Sequence, residues 1–188
     1  RPLGKLYYAV KKAVWRVRRT KTVTRFLGPR WKRSRTMIEI DITYLCNMRC
    51  QNCNRSVRQA PESLHMCLEQ MTGCVDEWIE SHYRWERIRV LGGEPTLHPQ
   101  FLEIIAELER YRDWYPDCAI EVVTNGKGRR VRKMIDALPP HIYVENSEKE
   151  SNIQPTFGPF NLAPVDEEEF ANADYRNGCS IMEVCGMG

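Results

Sequence analysis

The sequence predicts an α/β fold built on one parallel sheet, and three observations lead to that prediction. Four short apolar segments typical of strands alternate with longer segments of helical periodicity between residues 37 and 147. Polar or turn-forming residues follow each of the apolar segments. The length of 188 residues suits one well-filled core with appendages. Because strand, helix and strand in succession are joined by right-handed crossovers, the strands should lie parallel.

The first predicted strand begins at Met37 and shows a period of two. Its apolar face carries Ile38, Ile40 and Ile42, and its polar face carries Glu39, Asp41 and Thr43. This alternation is typical of a strand with one buried and one polar face. The other strands are predicted over residues 87–91, 119–124 and 141–144.

Three helices are predicted between these strands from apolar residues at helical spacing. The first has an apolar side made of Leu64, Leu68, Met71, Val75, Trp78 and Ile79. The apolar side of the second is made of Phe101, Ile104, Ile105, Leu108 and Tyr111. The third is predicted over residues 129–138, and the two prolines at 139 and 140 stop it.

Four polar segments follow the four predicted strands. They read CNMRCQNC at residues 46–53, GGEPTLHP at 92–99, TNG at 124–126 and ENS at 145–147. In parallel α/β folds, functional residues gather at the carboxyl ends of the strands. We therefore expect all four segments to meet at one rim of the sheet.

The first of these segments places three cysteines, Cys46, Cys50 and Cys53, in a C-x3-C-x2-C pattern. Although eight cysteines could form a disulfide framework, this spacing favours metal binding in a reducing compartment. A structural zinc site would need a fourth ligand. The candidates for it are Cys67, Cys74, His65 and His98. A four-iron cluster held by three cysteines would instead leave one iron open to a substrate or cofactor, which favours catalysis.

The C-x3-C-x2-C pattern after one strand and Gly-Gly-Glu-Pro after the next together resemble the radical S-adenosylmethionine (radical SAM) superfamily. The resemblance covers roughly residues 37 to 147. Cys46, Cys50 and Cys53 match the motif that binds a four-iron, four-sulfur cluster. The motif that holds the methionine end of SAM is matched by Gly92, Gly93, Glu94 and Pro95. The implied fold is a partial (β/α) barrel of about six strand–helix units, of which four are recognisable here.

The resemblance also implies a chemistry. The open iron would chelate SAM, Glu94 would accept hydrogen bonds from its amino group, and one electron would release methionine and a 5′-deoxyadenosyl radical that abstracts hydrogen from the substrate. Asn125, Asn146 and Ser147 are candidates to contact the cofactor, the last two at its ribose. An electron donor such as flavodoxin or ferredoxin is implied as a partner.

The polar face of the first strand has two interpretations. In a partial barrel the inward side chains border the reaction cavity, so Glu39 and Asp41 could contact a polar substrate or orient the cofactor. Alternatively, they form ion pairs with neighbouring basic residues such as Arg87 or Arg89, and the balance slightly favours this second interpretation.

Residues 151–188 are predicted to be rich in loops, with a lid-like stretch, and they follow the core predicted over residues 36–150. Cys179 and Cys185 near the end resemble the opening of an extension that carries an auxiliary iron–sulfur cluster of the SPASM or twitch type. Relatives with such extensions modify peptides or proteins, so the substrate class favoured is a peptide or protein. By contrast, Cys67 and Cys74 are predicted to be buried on one helix face.

Residues 1–35 hold 13 Lys or Arg and no acidic residue, whereas the rest of the chain has a net charge of −10 from 15 basic and 25 acidic residues. Apolar residues recur at helical spacing in this leader, which predicts a basic amphipathic helix followed by a linker. The helix could pack on the acidic body or extend into solvent, lie on a lipid surface, or bind nucleic acid, in decreasing order of preference. Without a secretory signal pattern at the start, a cytoplasmic location with possible membrane association is expected.

Two rival interpretations stay open at this point. One is a zinc-stabilised binding module whose basic leader binds a membrane or nucleic acid. The other is an inactive or truncated radical SAM homologue, since four strand–helix units are recognised. Neither the substrate nor the fate of SAM, which is either consumed or regenerated, follows from the sequence.

Overall fold

The computed structural model describes residues 2–51, 53, 55–147 and 171–177. These residues form two compact units. The first contains residues 2–34 together with 171–177, and the second contains the described residues from 35 to 147. None of the helices in the described ranges has the length and apolar character needed to cross a membrane.

A four-stranded parallel sheet forms the centre of the second unit. Its strands are β1 (Met37–Asp41), β2 (Arg87–Leu91), β3 (Ala119–Thr124) and β4 (Tyr143–Asn146). They lie side by side in chain order. Ile40, Val90, Val122 and Val144 occupy one register row, so the apolar positions of neighbouring strands coincide.

Helices α3 (Leu68–Glu80), α4 (Phe101–Trp114) and α5 (Arg129–Asp136) connect the strands. Each right-handed crossover moves the chain one strand further in the same direction, so the three helices fall on one face of the sheet. This winding is that of a barrel, whereas a reversal of strand order would place helices on both faces. The predicted α/β class with parallel strands is therefore confirmed.

The core lies between the sheet and the helices. The fully buried side chains include Ile88 and Val122 from the strands, Met71 from α3, and Leu108 and Tyr111 from α4. The Tyr111 hydroxyl donates to the Tyr83 carbonyl oxygen at 2.7 Å and accepts from the Trp85 amide at 2.8 Å. Burial raises the pKa of Tyr111 to about 12. This side of the sheet is thus an apolar layer in which the Tyr111 hydroxyl has both a donor and an acceptor as partners.

Three boundaries differ from the predictions. Helix α3 begins at Leu68 and leaves Leu64 exposed, because residues 64–66 hydrogen-bond as an extended segment beside residues 42–44. Strand β4 begins two residues later than predicted, since Ile142 bonds back to Pro139 in a turn and pairing with β3 starts at Tyr143. The third predicted helix, over 129–138, ends at Asp136.

The first unit contains two helices, α1 (Pro2–Arg18) and α2 (Lys21–Leu27). The predicted basic amphipathic helix is confirmed as α1, and α2 occupies part of the stretch between it and the predicted linker. Asn177 joins the unit together, because its side-chain amide donates to the Arg19 carbonyl at 2.9 Å and to the Thr24 hydroxyl at 2.5 Å. No local pattern indicates this contact, because its partners are more than 150 residues apart in the chain.

Candidate functional site

The loops after β1 and β2 are joined by backbone hydrogen bonds at the rim of the sheet. The Gly93 amide donates to the Thr43 carbonyl at 2.7 Å, and the Glu94 amide donates to the Leu45 carbonyl at 2.8 Å. The Gly-Gly-Glu-Pro turn therefore lies directly against the residues that lead into the cysteine segment.

Both glycines of this turn are required by the closeness of that approach. A Cβ atom on Gly92 would lie under 3.0 Å from the Thr43 carbonyl oxygen, and one on Gly93 would lie under 3.0 Å from the Leu45 carbonyl oxygen. Gly92 also has a φ of 146°, which side-chain-bearing residues rarely adopt. Only glycine allows the two loops to touch through their backbones here.

Glu94 is completely buried and connects the turn to the end of β3. Its Oε1 accepts hydrogen bonds from the Thr96 amide at 3.3 Å, the Thr96 hydroxyl at 2.6 Å and the Thr124 hydroxyl at 2.8 Å. Its Oε2 accepts from the Asn125 amide at 2.8 Å. Four donors thus balance the cost of burying this carboxylate. A contact between Glu94 and the amino group of SAM stays a prediction.

Asn125 links the end of β3 to the cysteine segment. Its side-chain amide donates to Asn47 Oδ1 at 2.9 Å and lies 4.0 Å from Cys46 Sγ. Asn47 in turn donates to the Lys127 carbonyl at 2.6 Å. The buried Asn125 therefore faces the first cysteine.

The fourth strand completes the rim. The Ser147 amide and hydroxyl both donate to the Thr124 carbonyl, at 2.9 Å and 3.0 Å. A Cβ atom on Gly126, whose φ is 68°, would lie under 3.0 Å from the Asn146 side chain. Contacts therefore run through all four segments, which confirms the expected convergence. Asn146 itself belongs to β4, although the sequence placed it after the strand.

The cysteine thiols lie close enough to influence one another. Burial raises the pKa of Cys46 above its ordinary value, and the charges of Glu94, Cys50 and Cys53 act in the same direction against a bond from the Met48 amide. Cys50 is buried, and Cys53 is half-buried. A soft cation bound to all three would reverse this effect, because metal coordination stabilises thiolates. The donor set thus fits an iron–sulfur cluster.

No three His, Cys, Asp or Glu side chains in the described ranges are gathered closely enough to hold a single metal ion.

The sheet face opposite the helices is charged, and Arg89 lies at its centre. Arg89 binds three carboxylates, those of Glu39, Glu121 at 3.0 Å and Glu145 at 2.5 Å. Arg55, two residues after the third cysteine, binds Glu39 at 2.7 Å. The ion-pair interpretation of the polar face therefore holds for Glu39 with Arg89.

The other acidic residues of this face are held less tightly. Arg87 pairs with Glu121 at 3.5 Å, not with the first strand. Asp41 lies 3.6 Å from Arg55, and burial raises its pKa against the opposing effect of that arginine. Burial also raises the pKa of Glu121, and its hydrogen bond to Glu145 acts in the same direction, whereas Arg89 opposes the shift.

His98 at the end of the turn has a larger structural role than its loop position indicated. It is buried, its Nδ1 accepts from the Gln100 amide at 3.0 Å, and its Nε2 lies 2.8 Å from the Met66 carbonyl oxygen. The first contact requires Nδ1 to be the acceptor, which makes Nε2 the donor to Met66. The position of His98 two residues before Gln100, at the start of a helix, indicated the contact with the Gln100 amide. No pattern in the sequence indicated the contact with the Met66 carbonyl.

The cysteines outside the C-x3-C-x2-C motif differ in their burial. Cys67 is exposed at the start of α3, so its predicted burial is wrong, and Cys74 is half-buried. Cys118, just before β3, is buried, and burial raises its pKa to about 12. The predicted lid, Cys179 and Cys185 lie outside the described residues.

About half of the chain is similar in sequence to known proteins. No protein-family model matches the chain. The chain is 29% identical over 103 residues to molybdenum cofactor biosynthesis protein 1 of Homo sapiens, covering 54% of this chain and 15% of that protein. It is 30% identical over 100 residues to the GTP 3′,8-cyclase of Haemophilus ducreyi, with 53% and 28% covered. The GTP 3′,8-cyclase of Ectopseudomonas mendocina is 33% identical over 92 residues, with 48% and 26% covered.

Over about half of its length, the chain is therefore similar to proteins that carry these two names. It spans less than a third of the length of each of these curated relatives. Among solved structures, BtrN in complex with AdoMet and 2-DOIA overlaps with a TM-score of 0.45 at 18% identity, covering 63% of this chain and 50% of that one. Streptococcus suis SuiB bound to S-adenosylmethionine overlaps with a TM-score of 0.44 at 12% identity, covering 76% and 33%.

Proposed function

We propose that the protein is a radical SAM enzyme that holds a four-iron, four-sulfur cluster on Cys46, Cys50 and Cys53. The observation that carries this proposal is the backbone contact of the Gly-Gly-Glu-Pro turn with Thr43 and Leu45, which lead directly into the cysteine segment. This contact supports a site in which the three cysteines would hold a cluster beside the motif that would hold the methionine end of SAM. A zinc-stabilised binding module would have no use for that turn at a strand end.

The chain's own residues would act by holding and orienting. The three thiolates would bind the cluster, and the amide of Asn125, 4.0 Å from Cys46 Sγ, would face the sulfur of the first ligand. Gly92 and Gly93 would keep the turn flat enough for a bound methionine group to approach its backbone. Asn146 and Ser147, joined to the end of β3, are the proposed ribose contacts.

When bound, the cluster and SAM supply the reductive cleavage that gives methionine and a 5′-deoxyadenosyl radical. The sheet face that carries Arg89 is the one opposite the helices. Its charged side chains would disfavour the binding of apolar groups on that face. We propose that the exposed carboxylate of Glu145 and the partly exposed Asp41 are the members of this face that a polar substrate reaches.

The decisive experiment is anaerobic reconstitution of the full chain with iron and sulfide. Iron per chain is counted, and 5′-deoxyadenosine is assayed after SAM and dithionite are added. About four irons and 5′-deoxyadenosine formation are expected, with both lost in Cys50→Ala. Cys74→Ala, which removes a half-buried cysteine from α3, is the matched control and should retain both.

Other results would change the proposal in defined ways. About eight irons would place a second cluster on Cys179 and Cys185. Iron without 5′-deoxyadenosine would indicate an inactive or truncated homologue. Colourless protein with one tightly bound zinc, which is lost in Cys50→Ala, would overturn the enzyme proposal.

Peptide or protein modification is the substrate class we propose first, on the strength of Cys179 and Cys185. A nucleotide is the second candidate, because the matched relatives include proteins named GTP 3′,8-cyclase. Consumption of GTP in the reconstituted assay, compared with ATP as a control, separates the two. Flavodoxin or ferredoxin in a cytoplasmic setting would supply the electron. To test this source, either protein replaces dithionite in the assay, and formation of 5′-deoxyadenosine is measured.

A further inference from the structure

Helix α1 carries an apolar stripe that the described fold leaves in water. The stripe begins with the adjacent Leu6 and Tyr7, and Val10, Val14 and Val17 follow at intervals of three or four residues along the same side of the helix. Each of these side chains is between 55% and 63% exposed. Single exposed apolar residues are common, but five that align on one helix form a continuous patch, which marks an interaction surface.

The charged residues of this helix are all basic. Lys11, Lys12 and Arg16 are exposed, and no acidic residue occurs between positions 1 and 35, which contain 13 Lys or Arg. Helix α2 repeats the combination, since Phe26 is 81% exposed next to Arg25. An apolar stripe flanked only by positive charge has the composition of a helix that lies in the interface of an anionic bilayer.

We propose that α1 lies on the surface of a membrane containing anionic lipids, with the apolar stripe in the boundary between headgroups and acyl chains and the basic side chains on the headgroups. Both features are needed for this mode of binding. The apolar contact holds the helix in the interface, and the basic residues are attracted by the negative surface potential.

Other occupants fit the surface less well. A nucleic acid would match the charge, but its phosphate backbone offers no apolar medium for valine and leucine side chains. A second copy of the chain would bring two sets of 13 positive charges together without a compensating acid in either leader. An anionic bilayer satisfies the charge and the apolar stripe together, and this surface does not depend on the proposed enzymatic activity.

Flotation of the full chain with vesicles tests the proposal. Vesicles of phosphatidylcholine alone are compared with vesicles of phosphatidylcholine mixed with phosphatidylglycerol. The chain should float with the mixed vesicles and bind those of phosphatidylcholine alone at least about tenfold less. The double substitution of Val10→Glu and Val14→Glu should weaken binding to the mixed vesicles by about tenfold or more, because it puts two carboxylates into the stripe.

Leu102→Glu is the matched control, because Leu102 is a partly exposed apolar residue on α4 of the other unit. It introduces the same negative group and should leave flotation unchanged. Circular dichroism of every variant checks that helix content is retained, and glutamate is a good helix former.

Three outcomes would overturn the proposal. Equal flotation of the double variant and the parent chain would show that the stripe does not enter the bilayer. Failure to float with mixed vesicles, together with tight binding to a single-stranded RNA, would assign the surface to nucleic acid. A dimer in light scattering that the double variant abolishes, without flotation of the parent, would assign it to a second copy.

Discussion

The Gly-Gly-Glu-Pro turn and the cysteine segment lie side by side at the rim of the sheet, but they are stabilised differently. In the turn, buried side chains make hydrogen bonds to distant parts of the fold, such as Glu94 to Thr124 and His98 to Met66. The cysteine segment contains three thiols, and the residues just before it, Thr43 and Leu45, accept backbone hydrogen bonds from the turn.

This difference indicates that the two regions are stabilised at different stages, the turn on folding and the cysteine segment on cluster binding. The bonds of the turn are all made by the protein, so the turn should form on folding without any cofactor. The thiols have a chemistry that suits a metal, so their contribution should appear when the cluster binds. The free energy of unfolding of the cluster-free chain therefore separates the two regions, because substitutions in the turn should lower it more than substitutions at the cysteines.

Glu94→Ala should lower the free energy of unfolding by about 3–4 kcal/mol, because it leaves buried donors on Thr96, Thr124 and Asn125 without their acceptor. Urea unfolding of the cluster-free protein measures it. Asp113→Ala, at an exposed acidic position on α4, is the control and should change stability by less than about 0.5 kcal/mol. A loss below about 1 kcal/mol for Glu94→Ala would contradict a turn built by the protein alone.

Gly92→Ala should lower stability by about 2–3 kcal/mol, since a Cβ would meet the Thr43 backbone and the residue has a φ of 146°. Gly73→Ala is the matched control in the interior of α3, where a new Cβ would have nothing within 4 Å. It should raise stability by about 0.5–1 kcal/mol through helix propensity. Similar effects of the two substitutions in the same urea titration would rule out the close approach as the cause.

The sequence was informative where a local pattern determines the structure. Strands β2 and β3 have the predicted bounds because their β-branched residues are enclosed by polar and turn residues. The convergence of the four segments followed from the parallel topology. Strand β4 was misplaced by two residues, because pairing with β3 fixes its register and its own sequence does not.

The roles of Glu94 and His98 could not be predicted for the same reason. The Thr124 hydroxyl that binds Glu94 is 30 residues away in sequence, and the Met66 carbonyl that faces His98 is 32 residues away. Motif matching assigns Glu94 to the cofactor, whereas its four protein partners exist only in the assembled fold. Contacts of long sequence separation leave no periodic signal, and this also explains why Asn177 was missed.

The stability of the turn should depend on pH through His98. Burial lowers the pKa of His98 below its ordinary value, despite the bond to Met66 and the nearby Glu103, and His65 adds to the lowering. A lowered pKa means that the unfolded chain binds the proton more readily. The stability contribution of neutral His98 is therefore complete above the unfolded value of about 6.5 and is lost as the pH falls from there through the folded pKa.

Unfolding of the cluster-free chain and of His98→Gln, measured in urea between about pH 7.5 and pH 5, tests this linkage. The difference in stability between the two proteins should shrink as the pH falls. A difference that is constant, or that grows at low pH, would show that His98 is not held in its neutral form by the turn.

The smallest effect on stability is expected at the cysteines. Cys53→Ser replaces a half-buried thiol by a hydroxyl of similar size, so the cluster-free chain should lose less than about 1 kcal/mol. The same variant should fail to retain the iron of the parent after reconstitution, because a serine hydroxyl is a harder and much less acidic ligand than a thiol. Iron analysis and urea unfolding of one preparation measure both. If Cys53→Ser instead destabilised the cluster-free chain as strongly as Glu94→Ala, the thiols would be structural members of the rim, and the contrast between a prebuilt turn and a cofactor-dependent segment would fail.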